Sequence, residues 1–196
     1  VAGQSSFGIK TDGTLWAWGR NTSGYGRLGL NNKTSYSSPT QIPGTTWDKI
    51  NTYNFCAGAI KTDGTLWMFG FNNSGQLGQN NTTTYSSPKQ VPGTTWSKMS
   101  SLGGGVLAIK TNGTLWAWGS NARGRLGLNQ ADTVRYSSPV QVGSDTTWSK
   151  VLSQNQSVIA VKTDNTMWTW GKNDGDWEGM LGHNNTTEYS SPKQVG

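Results

Sequence analysis

Residues 10–19 read KTDGTLWAWG, and near-copies begin at Lys61 (KTDGTLWMFG), Lys110 (KTNGTLWAWG) and Lys162 (KTDNTMWTWG). The first Trp of each copy stands at Trp16, Trp67, Trp116 and Trp168, spacings of 51, 49 and 52 residues. A chain repeating at a fixed period buries each unit against its neighbours, so the repeat decides the architecture before any single residue does. A period of about 50 residues is too long for ankyrin, tetratricopeptide or leucine-rich units and suits a four-stranded propeller blade.

Each copy reads as a hairpin. Asp12-Gly13, Asp63-Gly64 and Asn112-Gly113 are signals for a two-residue turn, and Asp164-Asn165 stands in for them in the fourth copy, Asn being tolerant of positive φ. A two-residue turn predicts that Lys10 faces Leu15, Ile9 faces Trp16 and Phe7 faces Trp18. Paired residues share a sheet face, so one face would carry the Trp pair with the large aliphatics and the other would stay small. Blades stacked like pages, each Trp face against a small face, are the expected core.

Composition agrees with an all-β repeat protein. Hydrophobic residues make up only 32%, yet there are 11 Trp and 27 Gly among 196 residues, which fits many short strands joined by Gly- and Asn-rich connections. No run approaches the roughly 18 apolar residues of a membrane span, so no membrane insertion is expected. The net charge of +6 invites a nucleic-acid reading. Against it, seven of the sixteen basic residues occupy repeat positions (Lys10, Lys61, Lys110, Lys162, Lys49, Lys98 and Lys150) and are spread over the units. Cys56 is the single cysteine, which precludes an intrachain disulfide and reads as a small core residue.

The order within a unit is constant: a W-x-K strand (Trp47, Trp96, Trp148), the hairpin, a Gly-Asn loop ending in Leu-Gly, a polar stretch, then YSSP and a short apolar strand. The prolines Pro39, Pro88, Pro139 and Pro192 are expected to open that last strand, where a missing N–H is tolerated. We expect one propeller segment over 1–196 with repeats at about 1–46, 47–95, 96–147 and 148–196, the first lacking its W-x-K strand. A window on a longer array, or a strand supplied by another chain in a homo-oligomer, would complete it.

The second unit, with GFNNSGQLG at 70–78 and SSPKQV at 86–91, resembles the repeat of the regulator of chromosome condensation family, and the resemblance covers essentially the whole chain. It implies a β-propeller, commonly seven-bladed, of which four copies are too few to close the ring. The eponymous eukaryotic proteins exchange guanine nucleotide on a small GTPase and bind chromatin, but no residue here matches that exchange surface. The near-identity of the units resembles the bacterial and phage branch, whose arrays occur in secreted, surface and virion proteins.

Function in a repeat protein is sought where the repeats disagree. The loop after the hairpin grows by Tyr25-Gly26 in the first unit, by about two residues around Ala131 and Asp132 in the third, and lengthens through NDGDWEG in the fourth. Trp177 is the one Trp outside the repeat register, in an acidic loop with Asp174, Asp176 and Glu178. An aromatic platform with carboxylate acceptors suits stacking on a sugar or gripping a peptide, so these four residues and Tyr25 are the candidate ligand-binding set. The alternate acidic positions could offer oxygens to calcium, but the twelve-residue EF-hand pattern is missing, and no metal or other cofactor is expected. His183 is the lone His and reads as a surface substitution. No phosphate-binding loop and no nucleophile–base set is legible, so no enzymatic activity is expected.

These readings give a non-enzymatic adhesion or assembly module of a virion or bacterial surface protein, extracellular, contacting a glycan or a protein through its loops. The alternatives are an intracellular, cytoplasmic or nuclear regulator of a small GTPase or chromatin, and a purely structural array.

Overall fold

The computed structural model describes residues 4–21, 25–53, 55–154, 156–175 and 178–196. Every sheet is an antiparallel meander. The first has three strands, β1 (Ser5–Ile9), β2 (Leu15–Gly19) and β3 (Tyr36–Ile42). The second has β4 (Trp47–Tyr53), β5 (Cys56–Lys61), β6 (Leu66–Gly70) and β7 (Tyr85–Gln90). The third has β8 (Trp96–Leu102), β9 (Gly105–Lys110), β10 (Leu115–Ser120) and β11 (Arg135–Gln141), and the fourth β12 (Trp148–Gln154), β13 (Ser157–Lys162), β14 (Met167–Gly171) and β15 (Tyr189–Gln194). We call these blades I to IV.

The hairpins differ from the predicted register by one residue. Ile9 pairs with Leu15, Gly8 with Trp16 and Phe7 with Ala17. The same shift pairs Ala59 with Trp67, Ala108 with Trp116 and Ala160 with Trp168. The reason is the turn. Gly13 N donates to Lys10 O and Lys10 N to Thr14 O, both at 2.9 Å, so the loop has three residues, with Gly13 at φ +77° closing it as a bulge. Asp12 holds it there, its Oδ1 accepting from Thr14 N at 2.9 Å and Thr14 Oγ1 at 2.6 Å. A one-residue slip exchanges sheet faces. The Trp pair therefore shares its face with the small residues, and the aliphatics occupy the other.

Stacking follows from those faces. Leu107, Ile109, Leu115 and Ala117 of blade III meet Trp148, Val158, Ala160 and Trp170 of blade IV. Ile60, Leu66 and Met68 of blade II likewise meet Trp96, Val106, Ala108 and Trp118 of blade III. Each aliphatic face is thus covered by the next blade's indoles, not by a small face. The Leu-Gly of each loop finishes the contact. A Cβ at Gly127 would lie 2.8 Å from Trp170 Nε1, and that indole donates to Arg125 O at 3.0 Å.

The W-x-K strands lie together at the centre. Ser101 N of β8 donates to Asn51 Oδ1 of β4 at 3.2 Å, and Ser100 and Ser153 hydroxyls of β8 and β12 are 2.7 Å apart. The YSSP strands lie outermost, where Asn31, Asn80 and Asn129 of the preceding blade donate their N–H to Ser86, Ser137 and Ser190 carbonyls at 2.7–2.8 Å. The prolines do not open these strands. Strand β3 begins at Tyr36, and its pairing shifts between Ala17/Thr40 and Gly19/Tyr36, so Pro39 sits in a bulge of an outer strand, the other place where proline fits.

Because the strands alternate in direction, the β4–β5 and β6–β7 loops share one rim with their counterparts in the other blades. The Asp-Gly turns share the opposite rim. There Lys61, Lys110 and Lys162 each stand between two indoles, with Lys162 Nζ 4.9 Å from the Trp148 ring and 3.9 Å from the Trp168 ring. These repeat lysines are cation–π struts of the scaffold.

Candidate functional site

The rim that carries the variable loops has a fixed base. Asn21, Asn72, Asn121 and Asn173 are fully buried. Their Oδ1 atoms accept from Leu28 N, Leu77 N, Leu126 N and Leu181 N at 2.8–3.1 Å, and each Nδ2 donates to carbonyls farther along the loop, as Asn72 does to Asn81 O at 3.0 Å and Thr83 O at 2.8 Å. The Asn-to-Leu step is five residues in blades II and III, seven in blade I and eight in blade IV. Insertions therefore lengthen the tip and leave the base unchanged, which is how a repeat scaffold displays loops of different chemistry.

Tyr25, the residue added in blade I, reaches across to blade II. Its ring is 5.2 Å from Phe55 and 4.6 Å from Phe71, and Phe55 and Phe71 are 6.3 Å apart in an edge-on arrangement. The Arg27 guanidinium stands 4.6 Å from the Phe55 ring. Phe55 is 41% exposed, while Tyr25 and Phe71 are half-buried. Beside this cluster, between blades II and III, a cavity of about 260 Å³ is walled by Tyr53, Phe55 and Phe71, with Ser74 and Gln76 at its polar side and Cys56 at its base.

Phe55 and Phe71 were not singled out from the sequence, although aligning the blades marks them. The Phe55 position is Gln4, Gly104 and Gln156 in blades I, III and IV, and the Phe71 position is Arg20, Ser120 and Lys172. Blade II alone places aromatics there. The signal lies in substitutions inside the repeat, whereas insertions alone drew attention to Tyr25.

Of the acidic loop in blade IV, Asp176 and Trp177 lie outside the described residues. Asp174 is engaged with blade III: Arg123 Nη1 is 3.1 Å from Asp174 Oδ2 and 3.2 Å from Glu188 Oε1, and Lys172 Nζ is 3.8 Å from Asp174 Oδ1. Burial raises the Glu188 pKa, with Arg123 opposing it. Glu178 is exposed, its N–H donating to Gly175 O at 3.2 Å. The structure thus places Tyr25 in an aromatic cluster and Asp174 in an inter-blade ion pair, on different blades of the same rim. His183 is held by Thr169 Oγ1 at 2.9 Å and packs edge-on to Tyr189, and burial lowers its pKa. Burial pushes the Cys56 thiol up to about 12, which denies it thiolate character at neutral pH. Among the described residues no group of three His, Cys, Asp or Glu is placed to hold a metal ion, and no helix is long and apolar enough to cross a membrane.

The regulator of chromosome condensation (RCC1) repeat model matches residues 12–50, 63–106 and 112–161. No curated protein sequence matches the chain. Among solved structures, human WBSCR16 superposes with a TM-score of 0.85 at 21% identity, over 100% of this chain and 52% of that one. Prp20p from Saccharomyces cerevisiae, described with its binding properties to Gsp1p and histones, gives 0.82 at 20% identity over 100% and 49%. Yeast RCC1 (Prp20) bound to Kap60 gives 0.80 at 18% over 100% and 48%. The chain spans about half the length of each.

Proposed function

Because the chain belongs to the regulator of chromosome condensation (RCC1) repeat family, a family of propeller blades, we propose that it is a non-enzymatic binding module that docks a protein on its variable-loop rim. The observation that carries this reading is the cluster of Tyr25, Phe55 and Phe71 on that rim, at positions where the other blades are polar or glycine. Half-exposed aromatics beside a concavity are the residues that dominate protein contacts. The rings pack tilted or edge-on against one another rather than side by side as one platform, and Arg27 stands over the Phe55 ring, which favours a protein over a glycan.

The test compares proteins retained from a lysate of the source cells by the wild type, by a Tyr25→Ala/Phe55→Gly/Phe71→Ser rim variant, and by a Lys49→Gln/Lys98→Gln/Lys150→Gln variant of the central strands. A protein lost only from the rim variant is expected. Equal retention by all three would sink the reading.

The near-identity of the units favours a virion or bacterial surface setting, in which the same rim works in adhesion or assembly and Trp177 with Asp176 and Glu178 forms a second contact on blade IV. A glycan array on which binding depends on Trp177 would move the ligand class from protein to sugar. The likeness to Prp20p favours an intracellular regulator instead, and accelerated nucleotide release from Gsp1p would decide for that reading.

A further inference from the structure

The rim is divided by charge. Its loops in blades I and II hold Arg20, Arg27 and Lys33 and no carboxylate, whereas those of blades III and IV hold, among the described residues, Asp132, Asp174, Glu178 and Glu188 alongside Arg123, Arg125 and Lys172. The cavity between blades II and III stands at the boundary. On one side Arg27, 3% exposed, stacks on its Phe55 wall. On the other, Arg125, 4% exposed, donates to the carbonyl of its Gly103 wall, to Ala122 O at 2.7 Å and to Gln156 Oε1 at 3.2 Å. Among the described residues no carboxylate is within ion-pair distance of Arg125, whose hydrogen bonds go to neutral acceptors while Asp132 acts on it only through space. A guanidinium held in a low-dielectric setting keeps its charge and projects a stronger field than one in water.

We infer that the cavity walled by Tyr53, Phe55 and Phe71 takes an apolar side chain from an acidic segment of a partner protein, whose Asp and Glu residues run over the blade I side of the rim toward Arg20 and Lys33. This deepens the protein-docking reading and rests on it. The cavity size of about 260 Å³ suits one Leu, Met or Phe side chain with its neighbouring backbone. Ser74, which lines the cavity, offers a hydroxyl to that backbone. The exposed Arg20 and Lys33 supply the charge complementarity that selects an acidic flank over a basic one.

The test is a selection of random peptides displayed on phage against the wild-type chain, followed by affinity measurements with the strongest synthetic peptide. Selected peptides are expected to carry Leu, Met or Phe among Asp and Glu. Phe55→Gly and Phe71→Ser install residues that blade III already carries at these positions, so both variants should keep the wild-type melting profile, and each should weaken the peptide by about tenfold, as loss of a pocket anchor does. Replacing the peptide's Asp and Glu by Asn and Gln, or Arg20→Gln in the protein, should weaken it about threefold at low salt and little at high salt. Selected peptides that are neutral or basic, yet lost in Phe71→Ser, would overturn the acidic partner and leave the rim reading standing. No selected peptide, or peptides indifferent to both Phe substitutions, would overturn the two together.

Discussion

A buried asparagine is the residue on which each rim loop depends. Asn72 is fully buried and bonds Leu77 N, Asn81 O and Thr83 O at 2.8–3.0 Å, so its side chain replaces the backbone ladder that a loop lacks. Asn72→Ala would strand a buried N–H and two carbonyls, which costs about 3 kcal/mol if two of the three groups stay unsolvated. Urea denaturation should show that loss without a change in slope. A shift below about 1 kcal/mol would mean that water replaces the amide. The glycines give a matched comparison. Gly127 and Gly143 both have positive φ, +72° and +61°, but a Cβ at Gly127 would meet Trp170 at 2.8 Å while one at Gly143 meets nothing within 4 Å. Gly143→Ala should cost about 1 kcal/mol for the backbone alone. Gly127→Ala should cost clearly more and lower the midpoint of the tryptophan fluorescence transition. Equal costs would show that the blade gives way freely.

At the scale of the hairpin, the carboxylate matters more than the glycine beside it. Asp12, Asp63 and Asp164 each accept from the hydroxyl and N–H of the Thr two residues on, and those bonds hold their pKa values below the ordinary one. Asp145 is brought to about 2, first by its contact with Lys162 and then by Thr147. A carboxylate whose folded pKa is depressed stabilises fully above its unfolded pKa of about 3.9 and loses that contribution as pH falls toward the folded value. The carboxylate contribution to the melting temperature should therefore hold down to about pH 5 and be lost between about pH 4 and pH 2, while His183, held below its ordinary pKa, adds a small fall as pH drops through about 6.5. Asp145→Asn should lower it at neutral pH and flatten part of that fall, and a variant with the wild-type acid limb would clear the Lys162 pair of any role. These turns also show what the sequence conveyed and what it did not. The period of the Trp repeat made the blades legible, and the Asp-Gly pairs located each hairpin. The register was not legible, because Asp-Gly serves both a two-residue turn and a three-residue loop with a bulge. The two differ by one loop residue, and here the three-residue form goes with capture of the Thr two residues on by the Asp side chain. At the rim, Tyr25 was visible as an insertion. Phe55 and Phe71 were hidden because each is one ordinary residue in an ordinary strand end, and only stacking of blade I on blade II brings them together with it.

The stack of these four blades ends in two unlike faces. Blade I presents Trp16 and Trp18, each half-buried, whereas the counterparts of Trp18, Phe69, Trp118 and Trp170, are fully buried between blades. Blade IV presents Leu152, Ile159 and Met167, exposed at 67%, 41% and 42%, whereas Leu107 and Leu115, which match the last two, are fully buried. One terminal face is thus the indole half and the other the aliphatic half of the interface that recurs between every pair of blades. Uncovered apolar faces drive association, and unlike halves join head to tail. The chain of residues 1–196 in isolation should therefore self-associate with rising concentration in sedimentation velocity. Ile159→Lys should leave it monomeric by disabling the aliphatic face, and Trp18→Glu should do the same from the indole face. Mixed in equal amounts, the two variants should form a dimer and nothing larger, since each keeps one working face and the pair makes one complete interface. Were the mixture to remain monomeric while the wild type associates, the contact would not be head to tail. A wild type that stays monomeric throughout would show that blades recognise one another only when joined in one chain.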